Sequence, residues 1–297
     1  MLTYQVLLLF LKYFFHYEKF GLAPHEKTLS APLREKYPHI SARAVTPINC
    51  MTIRPLTHLL SVTLLASCLV PRAVAQAQPG DLETLLEGVS EIGVPGVPGS
   101  LSVYGNQAFP VIVGASTSGT REPVVAAGRL LKGRVVAFGH DGYLTKDLSS
   151  TADTQRFLAN VVRWAVSGKP NARVGVVSIN GLATRLEAMG FAATNIAFGA
   201  FAGYDLVIPY MRFSRTRAES DLLLTYVRDG GGVVAGMTGW GWAQINSSLS
   251  LAEDFSGNWL MSAAGIVWAN PTLSQTSTLG YSVPRMPPDL THAQRAL

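Results

Sequence analysis

The stretch of sequence that decides the fold is Arg134-Val-Val-Ala-Phe-Gly-His-Asp-Gly-Tyr-Leu144. Its first half is a short apolar run, rich in β-branched residues and closed by a glycine, which predicts a buried strand over 135–138. His140, Asp141 and Tyr143 follow directly after that strand. In open α/β sheets, ligands bind beyond the carboxyl ends of the strands, because the loops there surround a crevice on a rigid support. The stretch therefore predicts a central strand with a candidate ligand site at its end.

Apolar strands alternate with amphipathic helices after this stretch. The predicted strands are 173–179, 194–198, 204–210 and 233–237, and the predicted helices include 157–165, 182–189 and 216–227. Such alternation requires a mostly parallel sheet with right-handed crossovers, which predicts a flavodoxin-like α/β fold. Shorter apolar segments precede the stretch, at 101–104, 109–113 and 123–127, and they predict short antiparallel strands.

Local signals place some of the turns and helix ends. Lys132-Gly133 is expected to form a hairpin turn, and Ser150 or Thr151 is expected to cap the first long helix. Thr216-Arg-Ala-Glu219 has the pattern of a capping box that opens a second long helix. The inner face of that helix is predicted to carry Leu222, Leu223, Tyr226 and Val227.

The charge of the chain is unevenly distributed. The 297 residues carry a formal net charge of +5, and 48% of them are hydrophobic, which is ample for a core. The first 75 residues hold eight Lys and Arg against three acidic residues, so the whole excess lies there. The remaining sequence is neutral, and binding to nucleic acid is therefore not expected.

The N-terminal region resembles an export signal that begins inside the chain. From Met51, a short basic segment is followed by an apolar core of about a dozen residues and by Ala-x-Ala sites ending at Ala75 and Ala77. We expect Met51 to be the true start and 1–50 to be an over-extended leader. The alternative is an apolar anchor over Leu7–Phe15. An exported protein is predicted, and a lipoprotein is the alternative, because 65–68 resembles a lipobox that ends at Cys68.

These patterns divide the chain into five parts. A leader over 1–50 and a signal peptide over 51–77 precede a linker over 78–100. The α/β domain is expected over 101–270, and a Pro/Ser/Thr-rich tail that is loosely ordered is expected over 271–297.

A second group of candidate ligand residues follows the last predicted strand. Trp240 and Trp242 lie two residues apart among glycines and predict a platform on which a sugar ring could stack. The alternative is that they cover the end of the sheet. Because parallel strands deliver their carboxyl ends to one side, we expect both residues and Thr238 to share a crevice with His140.

The catalytic candidates are few. His140 and Asp141 could form an acid–base pair, since a neighbouring carboxylate tunes an imidazole into the useful range. The alternative is a histidine that caps a loop, because adjacent side chains at a strand end usually point apart. The nucleophile motif Gly-x-Ser-x-Gly is absent, because Gly236-Met-Thr-Gly-Trp240 lacks both the Ser and the final Gly.

Several motifs together carry a family resemblance. They are Ala127–Leu144, Tyr204–Ile208, Val227–Gly236, Trp240–Ala243 and Gly257–Ile266. In this order they resemble the domain that precedes the catalytic unit of enhancin-type, mucin-directed zinc metallopeptidases, and the related domain of TRP-channel-associated factors. The resemblance implies a class I glutamine-amidotransferase-like fold without amidotransferase chemistry.

The peptidase signature of those enzymes is missing from this sequence. The metallopeptidases carry His-Glu-x-x-His, whose two imidazoles bind zinc. The only His-Glu of this chain, His25-Glu26, lacks the second histidine, so neither a metal site nor a cofactor is predicted.

Two hypotheses of function follow. The first is a secreted, non-catalytic accessory domain that binds a glycan or glycoprotein. In that case the peptidase domain either is a separate chain, and then a further partner, or is missing. The second is a stand-alone hydrolase that uses His140 and Asp141. Membrane contact is expected only if Cys68 is lipidated.

Overall fold

A computed structural model describes residues 80–212, 215–283 and 291–293. Its centre is a seven-stranded sheet in the order β3-β4-β5-β9-β8-β6-β7. The strands are β3 (Ala108–Ala115), β4 (Arg121–Leu130), β5 (Gly133–Phe138), β6 (Arg173–Val177), β7 (Ala192–Asn195), β8 (Leu206–Pro209) and β9 (Gly232–Gly236). The five strands from β5 to β7 are parallel, whereas β3, β4 and β5 pair antiparallel. The predicted fold, a mostly parallel α/β sheet preceded by antiparallel strands, is confirmed.

Helices cover both faces of this sheet. They are α1 (Asp81–Leu85), α2 (Gly142–Thr145), α3 (Thr154–Ala165), α4 (Leu182–Ala188), α5 (Arg217–Arg228), α6 (Gly239–Ile245) and α7 (Ser256–Met261). Alternate residues of β5 point to opposite faces, so Val136 joins a core with α1, α3 and α4, and Val135 joins a core with α5, α6 and α7. The sheet is therefore buried on both sides, which explains the continuous apolar runs of its strands.

The ends of the long helices test the capping predictions. The capping box of α5 is confirmed, because Thr216 Oγ1 accepts a bond from the Glu219 amide (3.2 Å) and Glu219 Oε2 accepts one from the Thr216 amide (2.9 Å). The prediction that Ser150 or Thr151 caps α3 was wrong. Asp153 occupies the N-cap without a capping bond, since its carboxylate accepts bonds from the amide and hydroxyl of Ser90.

Two further predictions need correction. The side chain of Leu222 is 46% exposed, so it does not belong to the inner face of α5, which carries Leu223, Leu224 and Val227. The hairpin turn lies one residue earlier than predicted. Leu130 pairs with Gly133, which leaves Leu131 and Lys132 as the turn.

Two small sheets flank the central one. They pair β1 (Glu91–Gly93) with β11 (Gly280–Ser282), and β2 (Gly99–Val103) with β10 (Ile266–Thr272). Residues 80–100 and 271–283, which were predicted to belong to a linker and to a loosely ordered tail, therefore contain paired strands. Ile92 and Tyr281 are fully buried in the core that Val136 forms with α1, α3 and α4, so these segments pack onto the sheet. The boundaries assigned to the predicted domains stay predictions.

A buried carboxylate fixes α1 to the sheet. Asp81 is 6% exposed, and Arg129 of β4 donates to both of its oxygens, at 2.7 and 3.0 Å. The indole N–H of Trp164 in α3 donates to the same carboxylate, at 3.0 Å. These three side chains therefore join a helix, a strand and a second helix through satisfied polar contacts, which a buried charge requires.

The predicted leader and signal peptide, 1–77, lie outside the described residues. Within 80–212, 215–283 and 291–293, each helix is too short or too polar to cross a membrane.

Candidate functional site

The two candidate segments lie at the same edge of the sheet. Strands β5 and β9 are parallel neighbours, with Phe138 beside Gly236 at their carboxyl ends. The segments that follow them, expected to be loops, instead begin the short helices α2 and α6. The chain packs tightly here, because a Cβ atom on Gly236 would lie 2.8 Å from the carbonyl oxygen of His140. The prediction of a shared edge is therefore confirmed, and we call it the carboxyl edge.

His140 and Asp141 are in contact, contrary to the expectation that neighbouring side chains point apart. Nδ1 of His140 lies 3.0 Å from Oδ1 of Asp141 and also 2.8 Å from the amide nitrogen of Gly142. The bend of the chain into α2 brings the two side chains together. Nδ1 accepts the Gly142 N–H only when it is unprotonated, and it donates to Asp141 only when it is protonated. The imidazole therefore has two alternative partners on one nitrogen.

The other imidazole nitrogen faces the backbone of a preceding loop. A Cβ atom on Gly96 would lie 2.9 Å from Nε2 of His140, and the imidazole side chain is only 16% exposed. Two side chains hold this loop at the edge: Lys146 donates to the carbonyl of Pro95, and the indole N–H of Trp240 donates to that of Val97 at 3.1 Å. The loop 95–97 therefore lies against the nitrogen that a general base would present to a substrate.

Asp141 is held in its ionised form. Burial acts to raise its pKa, but the hydrogen bond and charge of His140 and the charge of Arg212 outweigh burial and lower it. A hydrogen bond with Tyr210 and the charge of Asp141 raise the pKa of Arg212. The carboxyl edge therefore carries a carboxylate between two basic side chains.

Tyr210 and Arg212 were missed by the sequence analysis. They follow β8, which is the neighbour of β9 in the sheet, so they reach the same edge as the candidates after β5 and β9. The rule that ligand residues follow the carboxyl ends of parallel strands would have selected Arg212, had it been applied to the strand predicted over 204–210. Tyr210 was assigned to that strand, which in fact ends at Pro209.

The remaining candidates differ greatly in accessibility. Tyr143 is 3% exposed and packs against Phe138, with ring centroids 5.1 Å apart, and burial raises its pKa well above the ordinary value. Trp242 is 2% exposed and packs against Phe255, with centroids 5.3 Å apart. Trp240 remains half-buried. The expected platform of two tryptophans is therefore not accessible as a pair, because one ring belongs to the core.

Thr238 lies in the turn Gly236–Gly239, which joins β9 to α6. It is 8% exposed and forms the N-cap of α6 without a capping bond. In the described parts of the chain, no group of three or more His, Cys, Asp or Glu side chains is arranged to hold a metal ion.

Comparison with known proteins identifies the family. The family model TCAF_N, described as "TRPM8, N-terminal domain", matches residues 60–284. The chain belongs to this family. The resemblance to TRP-channel-associated factors that the motifs carried is thereby confirmed, and the match extends beyond the segment that holds those motifs.

Two relatives match this TCAF_N chain over part of their own length. It is 33% identical over 208 residues to TRPM8 channel-associated factor 2 of Bos taurus, covering 66% of this chain and 21% of the relative. It is 29% identical over 196 residues to a TRPM8 channel-associated factor homolog of Xenopus laevis, covering 63% of this chain and 19% of the relative. The chain spans about a fifth of the length of these curated relatives.

Comparison with solved structures finds IMPa, a metallopeptidase from Pseudomonas aeruginosa. The structure of IMPa from Pseudomonas aeruginosa in complex with an O-glycopeptide has a TM-score of 0.49 and 14% sequence identity, covering 66% of this TCAF_N chain and 23% of IMPa.

Proposed function

We propose that this chain is a non-catalytic binding domain of an exported protein, and that it binds a glycoprotein through its carboxyl edge. The observation that carries this proposal is the closed environment of His140. Its Nδ1 lies within bonding distance of two alternative partners, Asp141 and Gly142, and its Nε2 faces the backbone at Gly96.

The turn after β9 supports the absence of catalysis. General base catalysis requires a base within hydrogen-bond reach of the group that it deprotonates. Thr238 is the only hydroxyl-bearing residue of that turn, Gly236–Gly239, and it is almost fully buried. The carboxyl edge therefore offers contact groups rather than a nucleophile with its base.

The accessible groups of this edge suit a partner that is partly apolar and partly polar. Val97, in the loop 95–97 beside His140, is 52% exposed, and the half-buried Trp240 donates to its carbonyl. The charges of Asp141 and Arg212 lie on the same edge. A protein surface that carries sugars offers apolar ring faces and hydroxyl groups to such a site. The names of the relatives, which associate them with TRPM8 channels, agree with a large protein partner.

Binding to a glycoprotein can be measured with Trp240→Ala. An O-glycosylated mucin fragment, immobilised before and after enzymatic removal of its glycans, serves as the probe. We expect the wild-type chain to bind the glycosylated form, and Trp240→Ala to weaken binding by at least about tenfold. Tyr104→Ala is the matched control, because Tyr104 is a 38% exposed aromatic residue away from this edge. It follows β2, and its hydroxyl donates to the carbonyl of Ser262. Equal binding to both forms of the mucin would assign recognition to the polypeptide alone.

The second candidate function is a hydrolase that uses His140 and Asp141. The 3.0 Å contact between their side chains favours it, because a carboxylate at Nδ1 orients a catalytic imidazole and stabilises its protonated form. His140→Ala separates the two functions. We expect mucin binding to change by no more than a few fold, whereas a loss of turnover on an identified substrate, with folding intact, would favour the hydrolase.

Export is tested at the N-terminus of the protein recovered outside the cytoplasm. We expect it to begin at Gln76 or Gln78, or at a lipidated Cys68 in the alternative. Peptides from 3–36 in the mature product would contradict the proposed start at Met51.

A further inference from the structure

The edge of the sheet opposite the carboxyl edge carries an unusual turn. Leu131 and Lys132 form the two-residue turn between β4 and β5, and Leu131 has a φ of +53°. This left-handed conformation favours glycine or asparagine, because a Cβ atom crowds the backbone there. Leu131 is also 78% exposed, more than any other large apolar side chain among the described residues. Both features oppose stability, and neither is explained by the fold.

Other turns reach the same edge as Leu131. The parallel strands begin level with one another, since Gly232 pairs with both Arg134 and Leu206, and Leu206 pairs with Val174. The turn before β9 touches the hairpin, because a Cβ atom on Gly230 would lie 3.6 Å from that of Lys132. The hairpin tip is therefore continuous with the turns that precede β6, β8 and β9.

Positive charge predominates in these turns and in the residues that flank them. The basic side chains are Lys132, Lys169, Arg173 and Arg228, and the acidic ones are Asp205 and Asp229. Lys169 pairs with Asp205 at 2.6 Å, and the guanidinium of Arg173 lies 4.6 Å from the ring centroid of Tyr204. Leu131, Lys132, Lys169, Arg173 and Arg228 form what we call the amino-edge surface.

The described chain also begins at this edge. Asp81, one residue after Gly80, binds Arg129, which lies two residues before Leu131. An extended chain from Cys68 to Gly80 spans at most about 40 Å. A lipid attached to Cys68 would therefore keep the amino-edge surface within reach of a membrane.

We propose that the amino-edge surface docks on a membrane that contains anionic lipids. Leu131 enters the boundary between headgroups and acyl chains, and the surrounding basic side chains contact the headgroups. Apolar side chains combined with Lys and Arg are the features that hold proteins at such interfaces. The carboxyl edge lies at the other end of the strands, so it remains open to a partner while the domain is docked.

Vesicle binding of the full chain tests this proposal. Vesicles of phosphatidylcholine alone are compared with vesicles that contain phosphatidylglycerol, by cosedimentation at low and moderate salt. We expect binding to the anionic vesicles that weakens as salt screens the charges. Leu131→Gly should weaken it by about tenfold or more, because one buried leucine side chain is lost from the interface. Lys132→Glu should weaken it by several fold and reduce its dependence on salt.

The variants separate docking from folding and from the leader. Leu131→Gly also relieves the left-handed turn, so its melting temperature should not fall. Leu249→Gly is the matched control, since Leu249 is a 48% exposed leucine in another part of the surface. Amide hydrogen exchange should slow in residues 129–133 when anionic vesicles are added. Unchanged exchange in 129–133, or equal binding by Leu131→Gly and wild type, would overturn the proposal. Loss of a protein partner by Leu131→Gly, without loss of vesicle binding, would overturn it too and assign the tip to that partner.

Discussion

Two acid–base groups lie at opposite edges of the sheet, and they differ in how completely their polar atoms are satisfied. At the amino edge, Asp81 receives three hydrogen bonds from Arg129 and Trp164 and is almost fully buried. At the carboxyl edge, Asp141 and His140 share a nitrogen that has two competing partners. The first group has a single arrangement and holds the fold together. The second has two alternative arrangements, because Nδ1 of His140 can accept the Gly142 N–H or donate to Asp141 but cannot do both at once.

Removal of the Asp81 carboxylate should produce the largest effect. Asp81→Ala leaves Arg129 and the Trp164 N–H without their acceptor inside the protein. We expect the free energy of unfolding to fall by about 3–5 kcal/mol, as happens when one partner of a buried ion pair is removed. Chemical denaturation monitored by circular dichroism measures the change. The control is Glu83→Ala on the same short helix, whose exposed side chain should alter stability by no more than about 0.5 kcal/mol. Similar losses from both variants would show that the buried group does not anchor α1.

A smaller effect is expected when the loop over His140 is displaced. In Gly96→Ala, the added methyl group would lie 2.9 Å from Nε2 of His140, so the loop or the imidazole must move. We expect a loss of about 1–3 kcal/mol, which is usual for overpacking.

A double-mutant cycle with His140→Ala shows whether the loss arises from this contact. When the imidazole is absent, Gly96→Ala should cost at least about 1 kcal/mol less than it does in the wild type. Additive losses would mean that Nε2 is not covered by Gly96, and the main support for a non-catalytic edge would be lost.

The smallest effect concerns the pH dependence of Asp141. Its pKa in the folded state lies below the ordinary value of 3.8, because His140 and Arg212 outweigh the effect of burial. The ionised carboxylate therefore adds stability above the unfolded pKa, and this contribution is lost as the pH falls through the folded pKa. We expect wild type to melt at a higher temperature than Asp141→Asn near neutral pH. This advantage should shrink as the pH falls from about 5 to about 3. An advantage that grows over this range would contradict the lowered pKa.

The alternation of strands and helices was predictable because it depends on local patterns. Each central strand is buried on both faces and is therefore a continuous apolar run, as in Val135–Phe138 and Val233–Ala235. The capping box at Thr216 depends on residues three positions apart. In both cases the physical cause lies within a few residues, where a single sequence reveals it.

Contacts between distant segments were harder to predict. Asp81 and Arg129 are 48 residues apart, and nothing in either neighbourhood indicates the pairing. Strand β10 was missed because Asn270 and Pro271 interrupt its apolar pattern, and its partner β2 lies at the other end of the domain. Trp240 and Trp242 could not be distinguished by sequence, because the start of α6 at Gly239 turns one ring outward and the other into the core.

The pairing of β1 with β11 has a consequence for how the chain folds. These strands join residues 91–93 to residues 280–282. Likewise, β2 can pair only after residues 266–272, which form β10, have been reached along the chain. Contacts between residues so far apart in sequence require a large loss of chain entropy before any stabilisation is gained, and proteins that depend on them fold slowly. Until β10 and β11 are in place, β1 and β2 present unpaired backbone and exposed apolar side chains. The order of strand pairing therefore leaves β1 and β2, the first two strands of the described residues, as the last to be protected from aggregation.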